Sequence, residues 1–288
     1  MKFGRVVFIG EANVGKSSLL NALVGEHVSI VTDMPGTTRE EVRGVLNGEG
    51  FQIVFLDTPG MGKSKTDLDR FMNKSISAAH AAADVIVYVI DAEDFRGCKK
   101  IGNFSKPVII AVNKTDKTTF EKLYPKLKLL DAGTVAAIVP VSAKTGDNLD
   151  VLVAEIVKKI PEGEKQFEVD EYTDQPMRKM CAEIIRGELI KRLHKEVPHG
   201  LAVNIAKWQE GGRKVEISAQ ITVSKQNHKP IVIGSRGALL KEVGIASRKK
   251  IEALTEKHVR LETHVVVCED WKNKRRALDE LGYGSKTT

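Results

Sequence analysis

The octapeptide Gly10-Glu11-Ala12-Asn13-Val14-Gly15-Lys16-Ser17 has the form GxxxxGK[ST], and no other feature of the chain limits its fold so sharply. It follows the apolar run Val6–Ile9 and opens a helical pattern, Lys16–Val24. A strand that turns through glycines into a helix is how a parallel α/β sheet offers backbone N–H groups to an anion. The glycines permit the tight turn, and the helix start, including Ser18, adds its positive dipole end. Lys16 would reach the β- and γ-phosphates of a nucleotide, and the Ser17 hydroxyl would ligate Mg²⁺.

The first half of the chain supports that context. Val6–Ile9, Phe51–Leu56, Val85–Ile90, Val108–Val112 and Ala136–Val141 are short, Val/Ile-rich and weakly alternating, as strands buried on both faces are. Helical patterns at Leu68–Ala82, Phe120–Leu130 and Leu149–Ile160 lie between or after them, which implies a mostly parallel sheet covered by helices. Val42–Asn47, Gly48-Glu49-Gly50 and Phe51–Leu56 read as a hairpin, so one strand is antiparallel. The stretch Asp91–Lys106 leaves room for only a short helix.

Further polar tetrapeptides fall at strand ends. Asp57-Thr58-Pro59-Gly60 follows one strand; there Asp57 would hold Mg²⁺ through water and the Gly60 amide would meet a γ-phosphate. Asn113-Lys114-Thr115-Asp116 follows another, where open α/β sheets bind ligands. Asp116 can accept two hydrogen bonds from a guanine edge and leaves adenine without a match. Asn113 would fix the loop, and the Lys114 stem would cover the purine. Ser142-Ala143-Lys144 ends a further strand, with amides for the guanine carbonyl. In Pro35-Gly36-Thr37-Thr38-Arg39, Thr38 rather than Thr37 is expected to close on Mg²⁺ in the triphosphate state.

Composition separates two halves. Residues 1–175 carry 22 Lys+Arg and 25 Asp+Glu, a net charge of −3; residues 176–288 carry 23 and 13, a net charge of +10. The acidic, aperiodic stretch 161–175 has a linker composition, giving expected boundaries of 1–165, a linker at 166–175, and 176–288. The basic half implies a polyanion partner. Cys98, Cys181 and Cys268 stand far apart, which excludes a disulfide framework and suggests a reducing, cytoplasmic compartment. No apolar run reaches about 18 residues, so no membrane span is expected. The strand-like start, Arg5–Ile9, is expected to leave no room for a leader peptide.

In the second half, Met177–Lys195 is helical, Leu201–Trp208, Lys214–Val223 and Val259–Val267 read as strands, and Ala238–Ile245 continues as a helix into Ser247–Glu256. Ile231–Ile233 reads as a strand before the turn Gly234-Ser235-Arg236-Gly237. A GxxG turn lets an RNA backbone approach closely. Lys229, Arg236 and Lys241 would neutralise phosphates, and neighbouring apolar residues such as Ile233 would receive bases.

The string Asn13–Asn21 and the segment Gly36–Arg39 resemble the Era, Der and MnmE group of GTPases. The run Ile231–Lys241 resembles the GxxG core of a KH domain. With Glu183–Arg186, Glu196-Val197-Pro198, Glu269–Lys272 and Leu281-Gly282-Tyr283, it makes the chain resemble the Era family over essentially its whole length. The resemblance implies an α/β P-loop GTPase domain followed by a smaller α+β KH domain of type II. It implies slow GTP hydrolysis with Mg²⁺ and K⁺, the latter ligated by Asn13, and GTP and GDP as the bound nucleotides. Lys16, Thr38, Gly60 and Asn13 are the catalytic positions it points to. Its implied partners are small-subunit ribosomal RNA near the 3′ end and the 30S subunit, whose biogenesis the chain would serve as a monomer. Peripheral contact with the inner face of the cell membrane is a further implied association. A GTP-gated RNA scaffold whose turnover awaits the ribosome is the alternative to an autonomous enzyme. Three departures stand out: Ser235-Arg236 replaces the usual lysine arrangement in the GxxG turn, Asp91–Lys106 is short, and Met61 stands where Ras-like proteins have a water-orienting glutamine.

Overall fold

The computed structural model describes residues 1–32, 34, 36–60, 64–95, 104–128, 130 and 135–284. Met61, Pro35, Cys98 and the middle of Asp91–Lys106 lie outside the described residues, and with them the expectations placed there. The chain divides into two compact units, the first built mainly from residues up to Asp174 and the second mainly from Gln175 onward.

The first unit is a six-stranded sheet in the order β2-β3-β1-β4-β5-β6. Its strands are β1 (Lys2–Ile9), β2 (Val42–Gly48), β3 (Phe51–Asp57), β4 (Val85–Asp91), β5 (Val108–Asn113) and β6 (Ala137–Pro140). All pairings are parallel except β2 with β3, the expected hairpin. The helices are α1 (Lys16–Val24), α2 (Asp67–Ala82), α3 (Phe120–Lys128) and α4 (Leu149–Val157). The weak alternation of the strands has a direct cause. Val6, Phe8, Val87 and Ala111 enter one core, while Val7, Ile9, Tyr88 and Ile110 enter the other, so both faces are apolar. Fully burying each of these Val, Ile and Phe side chains stabilises by about 1.5–3 kcal/mol. Strand order reverses at β1, which places the Gly10–Ser17 loop at a topological switch point.

The polar segment 166–174 is held along the outer edge of β2. The Val45 amide donates to the Tyr172 carbonyl at 2.9 Å and the Thr173 hydroxyl to the Arg43 carbonyl at 2.7 Å. The Gln52 side chain accepts from the Gln166 and Phe167 amides and donates to the Phe167 carbonyl. Linker composition thus coexists with a local task, since an open strand edge invites foreign pairing.

The second unit runs α5 (Met177–Ile190), β7 (Leu201–Gly211), β8 (Lys214–Val223), α6 (His228–Ile233), α7 (Ala238–Thr255), β9 (His258–Val267) and α8 (Arg275–Glu280). Its sheet has the order β7-β8-β9, antiparallel then parallel. Along β8, Val215, Ile217, Ala219 and Ile221 are buried, whereas Lys214 and Glu216 are exposed; one face meets α5 and α7 and the other meets water. Ile231–Ile233, read from sequence as a strand, is the end of helix α6. Three β-branched residues do not distinguish the two states by period. Pro230 sits in the first turn, where its missing N–H costs nothing, and its carbonyl accepts from the Gly234 amide at 2.9 Å, closing the helix.

Candidate nucleotide site and GxxG turn

The polar residues of the first unit gather at the carboxyl ends of β1, β3, β4, β5 and β6. Gly10 leaves β1 at φ 154°, and a Cβ there would lie 2.3 Å from the Val89 carbonyl oxygen, so only glycine fits. Asn13 and Gly15 follow at φ 64° and 95°, and α1 starts at Lys16. Glu11, Ala12 and Asn13 form the outer lip of the loop, while Val14 packs inward. Ser18 is half-buried in the first turn of α1. The Lys16 ammonium folds back over the loop, donating to the carbonyls of Gly10 at 3.1 Å and Glu11 at 2.8 Å. Burial lowers its pKa, and the Asp57 carboxylate opposes that shift.

Asp57 ends β3 fully buried. Its Oδ2 accepts from Ser17 Oγ at 2.5 Å, from Ser29 Oγ at 3.0 Å and more distantly from Thr38 Oγ1 at 3.5 Å, and the Ser17 and Thr38 hydroxyls lie 3.1 Å apart. Oδ1 is buried without a hydrogen-bond partner among the described residues. Burial raises the carboxyl pKa, against hydrogen bonds from Ser17 and the charge of Lys16. A buried carboxylate with an orphaned oxygen and two adjacent hydroxyls is an all-oxygen donor set suited to a hard divalent cation. Ser17, Thr38 and Asp57, named from sequence as metal residues, are thus brought together. Thr58 donates to the Phe8 carbonyl at 3.2 Å, tying β3 to β1, and Pro59 is buried beside it. Gly60 passes over the loop, where a Cβ would stand 3.6 Å from Ala12 Cα.

Asn113 joins two loops: its Nδ2 donates to the Val14 carbonyl at 2.9 Å, and its Oδ1 accepts from the Ala143 amide at 3.0 Å. The Lys114 ammonium reaches the Asn13 carbonyl at 2.6 Å and pairs with Asp91 at 2.7 Å. Asp116 is exposed and accepts from the buried Ser142 hydroxyl at 2.7 Å, which also receives the Thr145 amide. Lys144 is exposed at the rim. A cleft of about 180 Å³ lies among Asn13, Val14, Ile90, Asp91, Asp94 and Lys114.

In the second unit, Gly234 (φ 75°) links α6 to the turn, and a Cβ there would fall 2.7 Å from Leu239 Cβ. Arg236 and Gly237 also have positive φ, 50° and 78°. Ser235 and Arg236 are exposed, Lys229 is half-buried on α6, Ile233 rests against the core, and Lys241 is exposed in the first turn of α7.

Residues 5–114 match the family model of the 50S ribosome-binding GTPase, and residues 196–272 match that of the KH domain. GTPase Era of Alkaliphilus metalliredigens is 40% identical, with 98% of this chain and 99% of that protein aligned. GTPase Era of Clostridium acetobutylicum is 40% identical over 98% of each chain. The chain belongs to the GTPase Era family. Two solved Era structures agree with it in fold. Era from Aquifex aeolicus bound to GDP and AlF₄⁻ has a TM-score of 0.94 at 38% identity, covering 99% of this chain and 100% of that one. Era in complex with MgGDPNP and nucleotides 1506–1542 of 16S ribosomal RNA has the same TM-score and identity, covering 99% of each. The α/β P-loop domain followed by a type II KH domain is therefore the fold of this Era-family chain.

Three residues of the site had no role assigned from the sequence motifs. Ser29 donates to Asp57, and Asn21 holds the Val28 and Ser29 amides on its Oδ1 at 3.0 and 2.9 Å. Asp91 positions Lys114. An aspartate closing an apolar strand was the one available signal for Asp91; Ser29 lies in a stretch without periodicity. The KH unit of this Era-family chain also holds a buried carboxylate, Glu188, paired with Lys250 at 2.7 Å, Arg192 at 2.6 Å and Lys191 at 3.3 Å. Lys250, part of a basic run in the sequence, is thus engaged within the unit.

Proposed function

We propose that this Era-family GTPase binds GTP and GDP at the Gly10–Ser18 loop, hydrolyses GTP with Mg²⁺ and K⁺, and binds small-subunit ribosomal RNA near its 3′ end through the GxxG turn, as a cytoplasmic monomer serving assembly of the 30S subunit. The observation that carries the nucleotide half is the convergence of the Ser17 and Thr38 hydroxyls on the buried, half-partnered Asp57, within reach of the Lys16 charge. The Aquifex complex with GDP and AlF₄⁻ and the Era complex with MgGDPNP and 16S RNA support the transfer of nucleotide, Mg²⁺ and RNA to this chain.

The chain's own residues have separable tasks. The loop amides and the start of α1 bind phosphate oxygens, and Lys16 exchanges two carbonyls for the β- and γ-phosphates. Ser17, Thr38 and Asp57 would hold Mg²⁺, which when bound would supply neutralising charge to the phosphates. The Gly60 amide meets the γ-phosphate, so that Thr38 and Gly60 both register its presence and its loss. Asn113 fixes the base loop, Lys114 covers the purine face, Asp116 reads the guanine edge, and the Ser142–Lys144 amides meet the carbonyl. At the residue after Gly60, Met61 has no group to orient water. Asn13 is assigned to K⁺, which would then supply positive charge beside the phosphates. In the KH unit, Lys229, Arg236 and Lys241 meet RNA phosphates at Gly234–Gly237, and Ile233 borders the base groove. Arg236 gives bidentate phosphate contact in place of a lysine point charge.

Initial hydrolysis rates test the enzymatic half. Turnover is expected to require Mg²⁺, to be slow in Na⁺ and faster in K⁺, and Asn13→Ala is expected to erase the difference between the salts. Equal wild-type rates in both salts would remove the K⁺ assignment. The net +10 of residues 176–288 supports a second reading, contact with an anionic membrane surface. Flotation with anionic vesicles at physiological salt decides it, and no protein in the lipid fraction dismisses it.

A further inference from the structure

Helix α3 presents an unusual surface. It follows the Asn113–Asp116 loop through the short turn Thr115–Lys117, and Leu123 is the buried anchor of its inner side. On the outer side, Phe120 and Tyr124 are 70% and 46% exposed. Their rings stack at 5.3 Å and 29°, and the Lys128 ammonium lies 4.8 Å from the Tyr124 ring. Lys117 and Lys122 are exposed, Lys122 lying two positions from each ring and so on another face of the helix, and Lys126 lies over the Phe95 ring at 5.1 Å. Residues 117–128 therefore hold four lysines against one acidic residue, Glu121, within a half of the chain whose net charge is −3.

Two kinds of partner suit exposed aromatic rings. A protein interface enriches aromatics but depletes lysine, whereas a single-stranded nucleic acid site combines ring faces for bases with cations for the backbone. The lysines around Phe120 and Tyr124 favour the second. We propose that α3 is a second RNA contact, in which Phe120 and Tyr124 stack on unpaired bases and Lys117 and Lys128 meet phosphates. The partner rests on the RNA-binding reading given above, but the contact does not depend on the GxxG turn. It places RNA beside the base-binding loop of the nucleotide unit.

The test uses the full chain and fluorescent poly(U). Gly237→Asp weakens the GxxG contact, and Phe120→Leu with Tyr124→Leu keeps apolar area while removing ring faces. Both rings are exposed and Leu123 is untouched, so unchanged GTP affinity and melting temperature verify the fold. The Gly237→Asp chain is expected to retain salt-sensitive poly(U) binding, which the leucine pair then weakens by about tenfold or more. Ultraviolet crosslinking is expected to place uridine on the peptide containing Tyr124. Unchanged affinity in the leucine pair overturns the proposal, as does complete loss of binding in Gly237→Asp alone. If Gly237→Asp has no effect, the GxxG reading fails, while the leucine pair still decides α3. Leucine variants that lose no RNA affinity but no longer retain an acidic ribosomal protein assign the face to a protein and overturn the RNA contact.

Discussion

A buried carboxylate is costly to a fold unless donors or a cation compensate it, and Asp57 is fully buried with one oxygen unpartnered. Its place in the candidate site was legible from sequence because an aspartate ends an apolar strand in front of Thr58-Pro59-Gly60. Its donor Ser29 was not legible, because Ser29 acts only through the fold that brings it 28 positions away to Asp57. Ser29→Ala is expected to cost about 1 kcal/mol in stability and to raise the Mg²⁺ concentration for half-maximal hydrolysis. A Mg²⁺ titration with thermal melts checks both. Asp116→Asn is expected to lose about 1.5–3 kcal/mol of GTP binding, the range for a hydrogen bond to a charged group, and to gain xanthine nucleotides. Titration calorimetry with GTP and XTP measures the exchange; unchanged GTP affinity would refute the base-reading assignment.

Among elements, α5 and α7 are joined through Glu188 and Lys250. Burial pushes the Glu188 carboxyl up, but hydrogen bonds from Lys250 and Arg192 and the charge of Lys191 override it and hold the pKa at about 2. Because the folded value is depressed, this stabilisation is present above the ordinary value of 4.5 and is lost as pH falls from there toward 2. Glu188→Gln should destabilise the KH unit by about 1–3 kcal/mol at neutral pH and flatten its acid limb. Melting curves from pH 3 to 7 read the effect. Gly237→Asp places a carboxylate in the GxxG turn and should weaken binding of the rRNA 3′ fragment while sparing GTP binding, as filter binding of both ligands would show. Element types were mostly legible, since buried parallel strands and half-exposed β8 carry different periods. Helix α6 was not, because a three-residue apolar run has no period and the deciding residue, Pro230, reads equally well as a strand edge. Nor was the hold of residues 166–174 on β2, which depends on Gln52, Asn47 and Arg43 in strands far away in sequence.

For the whole molecule, charge is divided by task. The half that holds the candidate nucleotide site is slightly acidic, at −3, whereas the excess of +10 lies in the half with the KH domain. RNA affinity should therefore fall steeply with salt through counterion release, and GTP affinity much less; parallel titrations from 50 to 200 mM KCl compare them. The proposal that Thr38 and Gly60 register the γ-phosphate extends to coupling with the RNA-binding half, and affinity for the 3′-terminal small-subunit rRNA fragment, measured with the chain loaded with GDPNP or with GDP, tests it most directly. The account predicts binding at least about tenfold tighter with GDPNP, within the usual range of allosteric coupling, and loss of that tight binding in Gly237→Asp. Equal affinity in the two nucleotide states, or tight binding that survives Gly237→Asp, would contradict it.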